Sequence, residues 1–222
     1  LGGGSEAIAK RVSTAEERER IKTYMDEVVE NFFNWGDIIM WSIEDKALQG
    51  RSIRTLAHLW EKDPKDVVFD IVKEHGISPS AIYFGKTEED LTLAASWKYS
   101  VVGSDGFMFQ DRRQNHPRNY GAFPRYIRKY VQEQQLFGLE EAVRRMSGLT
   151  AEILRIRDRG TLAEGKKADL LIFDPAEITD RATYEEPDLP PSGIELVMVN
   201  GQIVRSKGTD YPGSAGQVVK PE

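Results

Sequence analysis

The sequence contains no cysteine. That excludes disulfides, thiolate metal ligands and a cysteine nucleophile, and it fits a reducing cytoplasm, the expected compartment. Histidine is scarce as well: His58, His75 and His116 are all there is. No His-x-His, His-Glu-x-x-His or Gly-x-Ser-x-Gly run occurs, and no Gly-Lys-Ser/Thr follows Gly2-Gly3-Gly4, so a phosphate-cradling loop is not written there. No apolar run approaches the roughly 18–20 residues that span a bilayer. No basic-then-apolar leader opens the chain. Positive charge is in deficit: 30 Lys and Arg stand against 36 Asp and Glu, a net charge of −6. That argues against a partner held by phosphate neutralisation, so no nucleic acid is expected. The first residue is Leu1 rather than Met, and the chain reads as a piece of something longer.

What is present suits an ordinary folded protein. The 222 residues are 40% apolar and 30% charged, enough to bury a proper core. Ser13 or Thr14, with Glu16 and Glu17 behind, predicts a capped helix. Ile21, Tyr24, Met25, Val28, Val29, Phe32 and Phe33 recur at helical spacing until Gly36. Residues 37–43 read as a buried strand with Ser42 at its C-terminal end. Helices are expected over 52–60 and 64–75, the second bracketed by Asp63-Pro64 and Gly76. Residues 81–84 read as a strand, 87–96 as a helix and 99–102 as a third strand. This alternation predicts a parallel sheet with crossover helices. In such folds reactive groups sit at the C-terminal strand ends.

Beyond that point Pro124 is expected in the first turn of a helix to about 135. Helices are also expected over 139–146 and, capped by Thr150, over 151–156. From about 158 the language changes to strands and turns. Asn200-Gly201 signals a two-residue hairpin between 196–199 and 202–204.

The candidate reaction centre is Gly103-Ser104-Asp105-Gly106 followed by His116-Pro117-Arg118-Asn119-Tyr120-Gly121. A carboxylate at a strand mouth can bind a metal or shuttle a proton, although Asp-Gly also simply makes turns. His116 can serve as ligand, acid or substrate contact, or be held by a structural hydrogen bond. Arg118 can clamp a carboxylate through two parallel bonds, or form a surface ion pair. Tyr120 and Tyr83 can donate to the same anion, or pack.

These motifs resemble the N-acyl-D-amino-acid deacylases (D-aminoacylases) of the metal-dependent amidohydrolases. The resemblance runs through His116-Pro117-Arg118 to Arg125, Leu139 to Met146, Arg159-Gly160-Thr161-Leu162, Ala168-Asp169-Leu170, Phe173-Asp174-Pro175 and Val199-Asn200-Gly201-Gln202. It implies an α/β chain: the C-terminal part of a (β/α)8 barrel over 1–157, with a helical lid insertion over 44–76, and a small β-sandwich portion over 158–222. It implies zinc as cofactor, with Asp105 contacting the metal-bound hydroxide as base and then acid. Arg118 would hold the substrate α-carboxylate, with His116, Tyr120 and Ser42 around the substrate. The implied reaction is hydrolysis of N-acyl-D-amino acids. The family's other metal ligands sit earlier in its chains, so a missing N-terminal half is the implied partner, and this chain alone is expected to be inactive. Another amidohydrolase, acting on cyclic amides or dipeptides, and a non-catalytic fragment that pairs with a separate chain are the alternatives.

Overall fold

In the computed structural model, residues 4–43, 45–76, 79–107 and 115–220 are described. The chain divides into two compact units, Leu1–Thr87 and Glu88–Glu222.

The first unit holds α1 (Gly4–Arg11), α2 (Ala15–Phe32), β1 (Ile38–Ser42), α3 (Ile53–Trp60), α4 (Pro64–His75) and β2 (Ser80–Tyr83). The start and stop signals behave as chemistry demands. The Ser52 hydroxyl accepts from the Thr55 amide and starts α3. The Asp63 carboxylate accepts from the Lys65 amide, with Pro64 in the first turn, and Gly76 ends α4 at φ 69°. The expected capping box before α2 is not formed. Thr14 is its N-cap but makes no capping bond, and its hydroxyl instead donates to the Arg11 carbonyl of the preceding helix. That helix, α1, carries no strong signal in the sequence. The α2 helix also stops at Phe32, where Phe33 turns extended, before Gly36 is reached.

The core of this unit is Ile38, Met40, Ile43, Leu48, Ile53, Leu56, Ala57, Val67 and Ile71, with Phe69 only 1% exposed. Charges fasten α2 to α4. Arg18 meets Asp70 at 3.3 Å, Lys22 meets Asp66 at 3.1 Å, and Lys65 meets Asp26 at 2.7 Å. The Arg18 guanidinium also lies 4.8 Å over the Phe69 ring.

The expected parallel pairing is not what forms. β1 and β2 are antiparallel, with Ile38 opposite Tyr83 and Ser42 opposite Ser80. Hydropathy marks a segment as a strand but not its direction, which depends on where the chain returns. The third expected strand, 99–102, joins no ladder among the described residues. Among the described residues its backbone has no strand to pair with, although Val102 packs on the helical core of the second unit, and a strand exists only when paired.

The second unit contains α5 (Glu88–Ser96), α6 (Arg118–Tyr126), a π-helical segment (Ile127–Glu133), α7 (Leu139–Met146), α8 (Gly148–Ile153) and strands β3 (Leu170–Phe173), β4 (Ile194–Val199), β5 (Gln202–Ser206) and β6 (Thr209–Asp210). Pro124 lies inside α6 rather than at its first turn. Proline removes one helical donor, and the helix widens to π geometry directly behind it, where Gln134 donates to the Lys129 carbonyl at 2.9 Å. Thr150 likewise lies within α8, its hydroxyl donating to the Arg145 carbonyl at 2.8 Å. Ala95, Tyr126, Tyr130 and Ala142 form the helical core, where Arg145, 4% exposed, binds Glu141 and the Ala95 carbonyl.

The four strands form an antiparallel meander in the order β3-β4-β5-β6. Asn200 and Gly201 turn the β4–β5 hairpin with φ of 48° and 80°, as a primed two-residue turn requires. Three of the sequence motifs converge here. Arg159 binds both Asp169 and the Asn200 side-chain oxygen, the latter at 2.7 Å. The Asn200 amide donates to Asp169 at 2.7 Å. Burial works against the charge on Asp169, but the Asn200 amide and Arg159 win, holding its carboxyl below the usual range.

Phe69→Ala empties a fully enclosed aromatic site. It is expected to cost about 3–5 kcal/mol, read as a lower midpoint in chemical denaturation followed by tryptophan fluorescence.

Candidate active site

The second unit brings Asp105, His116 and Arg118 together. Asp105 stands in the loop that follows 99–102, with a left-handed backbone at φ 48°, a conformation Asp tolerates better than most residues. The Ser104 hydroxyl accepts from the Gly106 amide at 3.2 Å and closes the turn. Gly106 is required by a close approach: a Cβ there would lie 2.7 Å from the Asn119 side-chain oxygen. Asn119 donates to the Phe107 carbonyl at 2.5 Å, fastening the loop to α6. Residues 108–114, which join the two halves of the site, lie outside the described residues.

Arg118 is the first residue of α6. Its Nη2 meets the Asp105 carboxylate at 3.0 Å, with the arginine side chain 39% exposed and the aspartate 78% exposed. Its Nε is buried and has no hydrogen-bond partner among the described residues. His116 Nδ1 accepts from the Arg118 amide at 3.1 Å, which satisfies one of the free donors at the helix start and leaves the proton on Nε2. The His116 ring sits edge-on to Tyr184, centroids 5.4 Å apart. Burial, then the Arg118 charge, push the His116 imidazole below its usual 6.5, against a smaller opposing pull from Asp105. His116 is thus neutral at physiological pH and holds up the start of α6.

Tyr120 is half-buried on α6, one turn of backbone from Pro117, whose carbonyl accepts its amide. Ser42 and Tyr83 belong to the first unit. Ser42 ends β1, and the Tyr83 ring packs on Phe33 with centroids 5.2 Å apart.

Sequence reading missed two contributors, Tyr184 and Asp180, and gave Asn119 no role of its own. Asp180 accepts from Arg128 Nε at 2.8 Å, lies 4.0 Å from Arg125, and would touch any Cβ placed on Gly121. It therefore holds the helix that carries Arg118. The signal available was the spacing of arginines 125 and 128 along one helical face, which asks for an acid from elsewhere.

Zinc takes about four donors. Among the described residues no three His, Asp or Glu side chains converge, and the carboxylate of Asp105 faces a guanidinium. The residues present do not fit a zinc site on their own.

A family model described as Amidohydrolase family matches residues 88–205, over half of the chain. The chain belongs to the amidohydrolase family. Within that family it is 37% identical over 182 residues to a D-aminoacylase from Alcaligenes xylosoxydans xylosoxydans, covering 82% of this chain and 36% of that protein. It is 36% identical over 164 residues to the N-acyl-D-glutamate deacylase of the same organism, covering 73% and 32%. Among solved structures it is similar to the N-acyl-D-glutamate deacylase of Bordetella bronchiseptica, which is complexed with zinc and a phosphonate mimic of the tetrahedral intermediate. There the TM-score is 0.72 at 34% identity, over 87% of this chain and 39% of that one. The chain thus spans about a third of the length of the curated amidohydrolases it matches.

Two outcomes follow from the site. His116 is expected to titrate below 6.5 in a proton NMR pH series. Because its folded value is lowered, charging it opposes folding. The penalty is absent above 6.5 and grows as pH falls through that value toward the folded one; an unlowered midpoint contradicts the burial described. Asp180→Ala removes the acid that Arg128 and Arg125 share, leaving them Glu133 and Glu88, and is expected to lower stability by about 1–2 kcal/mol, seen as a reduced thermal midpoint.

Proposed function

We propose that the whole protein of which this chain is part hydrolyses N-acyl-D-amino acids to a carboxylate and a free D-amino acid. The observation that carries the reading is the pairing of Arg118 with Asp105 at 3.0 Å on the His-Pro-Arg segment, one cation for a substrate carboxylate beside one proton acceptor. The D-aminoacylase and deacylase relatives support it.

In this reading Arg118 receives the α-carboxylate of the substrate through two parallel N–H···O bonds, which fixes the acyl carbonyl in one stereochemical sense. Water adds to the carbonyl carbon, and the Asp105 carboxylate takes its proton. Asp105 then gives that proton to the nitrogen as the C–N bond breaks. His116 keeps Arg118 in place through the helix start, Tyr120 stands on the same helix, and Ser42 is assigned to the substrate side-chain pocket. Zinc is the cofactor that this reading carries to the whole enzyme, as a polarising Lewis acid; Asp105 is the group of this chain assigned to its neighbourhood.

The same reading assigns 1–157 to part of a (β/α)8 barrel, with 44–76 as its lid, and 158–222 to a small β-sandwich portion. The rest of the barrel is the partner it calls for. No described helix is long and apolar enough to cross a membrane; the cytoplasm is the compartment this reading assigns.

The test uses the full-length protein. Asp105→Ala is expected to lower release of free D-amino acid from an N-acetyl-D-amino acid by at least about a hundredfold. Arg118→Lys is expected to raise KM for that substrate about ten- to a hundredfold. Retained turnover in the first variant removes Asp105 from the chemistry, and an unchanged KM in the second removes the carboxylate clamp.

A further inference from the structure

Asp180 and Tyr184 come from one loop of the second unit, and that loop is built to be stiff. It is closed at its neck, where the Ser192 amide donates to the Thr179 carbonyl at 3.1 Å and Ile178 is only 2% exposed. A Cβ on Gly193 would lie 2.5 Å from the Ile178 backbone, so the two arms of the neck are in contact. Inside the loop the Thr183 hydroxyl accepts from the Glu186 amide at 3.0 Å, and the Thr183 amide donates to the Glu186 carbonyl at 3.1 Å. Pro187, Pro190 and Pro191 restrict the rest of it. Tyr184 lies in the inner turn, so its ring is placed by the loop rather than by the helix it meets.

What it meets is His116. The two rings are edge-on, at 86° with centroids 5.4 Å apart, an arrangement that aromatic pairs favour and that depends on orientation. The orientation matters because of what the imidazole does. With Nδ1 turned to the start of α6 it accepts from the Arg118 amide. Rotated by half a turn about its bond to Cβ, the ring presents a carbon there, and the amide loses its acceptor. An imidazole has a broad, two-fold preference about that bond, so the choice falls to its surroundings. Burial raises the Tyr184 phenol above its ordinary 10, against the pull of Arg125 and Arg118, so it keeps its proton and adds no charge to the site.

We propose that Tyr184 is a positioning residue for the substrate seat: its ring selects the His116 rotation that caps α6 and so fixes where Arg118 stands. The proposal rests on the function assigned above and adds to that site a residue from the loop at 179–192. Tyr184 has no part in the proton transfer, so its loss weakens binding and leaves the chemical step alone.

The tests use the full-length protein. Tyr184→Ala and Tyr184→Leu are expected to raise KM about three- to tenfold for the best substrate in a panel of N-acetyl-D-amino acids, with kcat held within about twofold. Tyr184→Phe keeps the ring and is expected to hold KM within about twofold of the unmodified protein. Unchanged KM in the Ala and Leu variants overturns the proposal, and so does a loss in Tyr184→Phe as large as theirs, which would assign the effect to the hydroxyl. In a His116→Ala background Tyr184→Ala is expected to add nothing; an undiminished effect there means that the ring acts by another route and overturns the proposal. Nitrogen NMR of His116, assigned with His116→Gln, gives a readout independent of turnover. It is expected to show the proton on Nε2 in the unmodified protein and a mixture of both tautomers in Tyr184→Leu; a spectrum that this variant leaves unchanged overturns the proposal. Arg118→Lys separates the two levels. If it leaves KM unchanged, the carboxylate clamp is wrong and the assigned function fails. If it raises KM while Tyr184→Ala and Tyr184→Leu do not, the clamp stands and the role of Tyr184 falls.

Discussion

The site depends on the side chain of Asp180. One acid, 12% exposed, receives Arg128, approaches Arg125 and backs onto Gly121. It pins a helix that would otherwise have reason to wander. That helix contains Pro124 and then widens into π geometry, two departures that each weaken axial hydrogen bonding. A helix interrupted in this way needs an external fixture, and Gln132 supplies a second one by donating to the Pro175 carbonyl at 2.6 Å. With the helix held at its middle, His116 and Arg118 at its start have a fixed base from which to face Asp105.

The local parts of this arrangement were legible in the sequence. Ser52, Asp63-Pro64 with Gly76, and Asn200-Gly201 act within a few residues, so their effect does not depend on the rest of the fold. The grouping of Asp105 with His116 and Arg118 was legible for the same reason, since they lie within fourteen positions of one another. What was not legible is long-range. The antiparallel β1–β2 pairing is decided by the path of the chain between the strands. Residues 99–102 have the hydropathy of a strand, yet a ladder needs a second segment. Pro124 looked like a helix start because proline is best tolerated there; the helix that holds it is braced by Arg128 on Asp180 and Gln132 on Pro175, and residues 175 and 180 lie outside any window around it. Asp180 and Tyr184 reach the site from more than fifty residues away.

Several of the motifs that carried the resemblance serve the scaffold. Arg159, Asp169 and Asn200 meet in one knot, and the Asn200 side chain also donates to the Ala215 carbonyl at 2.6 Å. Four separated stretches of chain are tied at one asparagine, which is also the residue that turns the β4–β5 hairpin. A wrong residue at 200 therefore breaks a turn and a network together. Similarity at such positions marks a shared scaffold, whereas the proposed chemistry is assigned to the loop at 103–107 and the start of α6.

The left-handed backbone at Asp105 has a consequence for how this position can change over evolutionary time. Lengthening the side chain to glutamate would keep a carboxylate but place a less tolerant residue in that conformation, which favours Gly, Asn and Asp. The neighbouring Gly106 cannot take over the carboxylate, because the space for a Cβ there is taken by Asn119. Under the proposed chemistry Asp is therefore the one carboxylate this backbone tolerates well, whereas Asn or Gly would keep the turn and lose the proton acceptor.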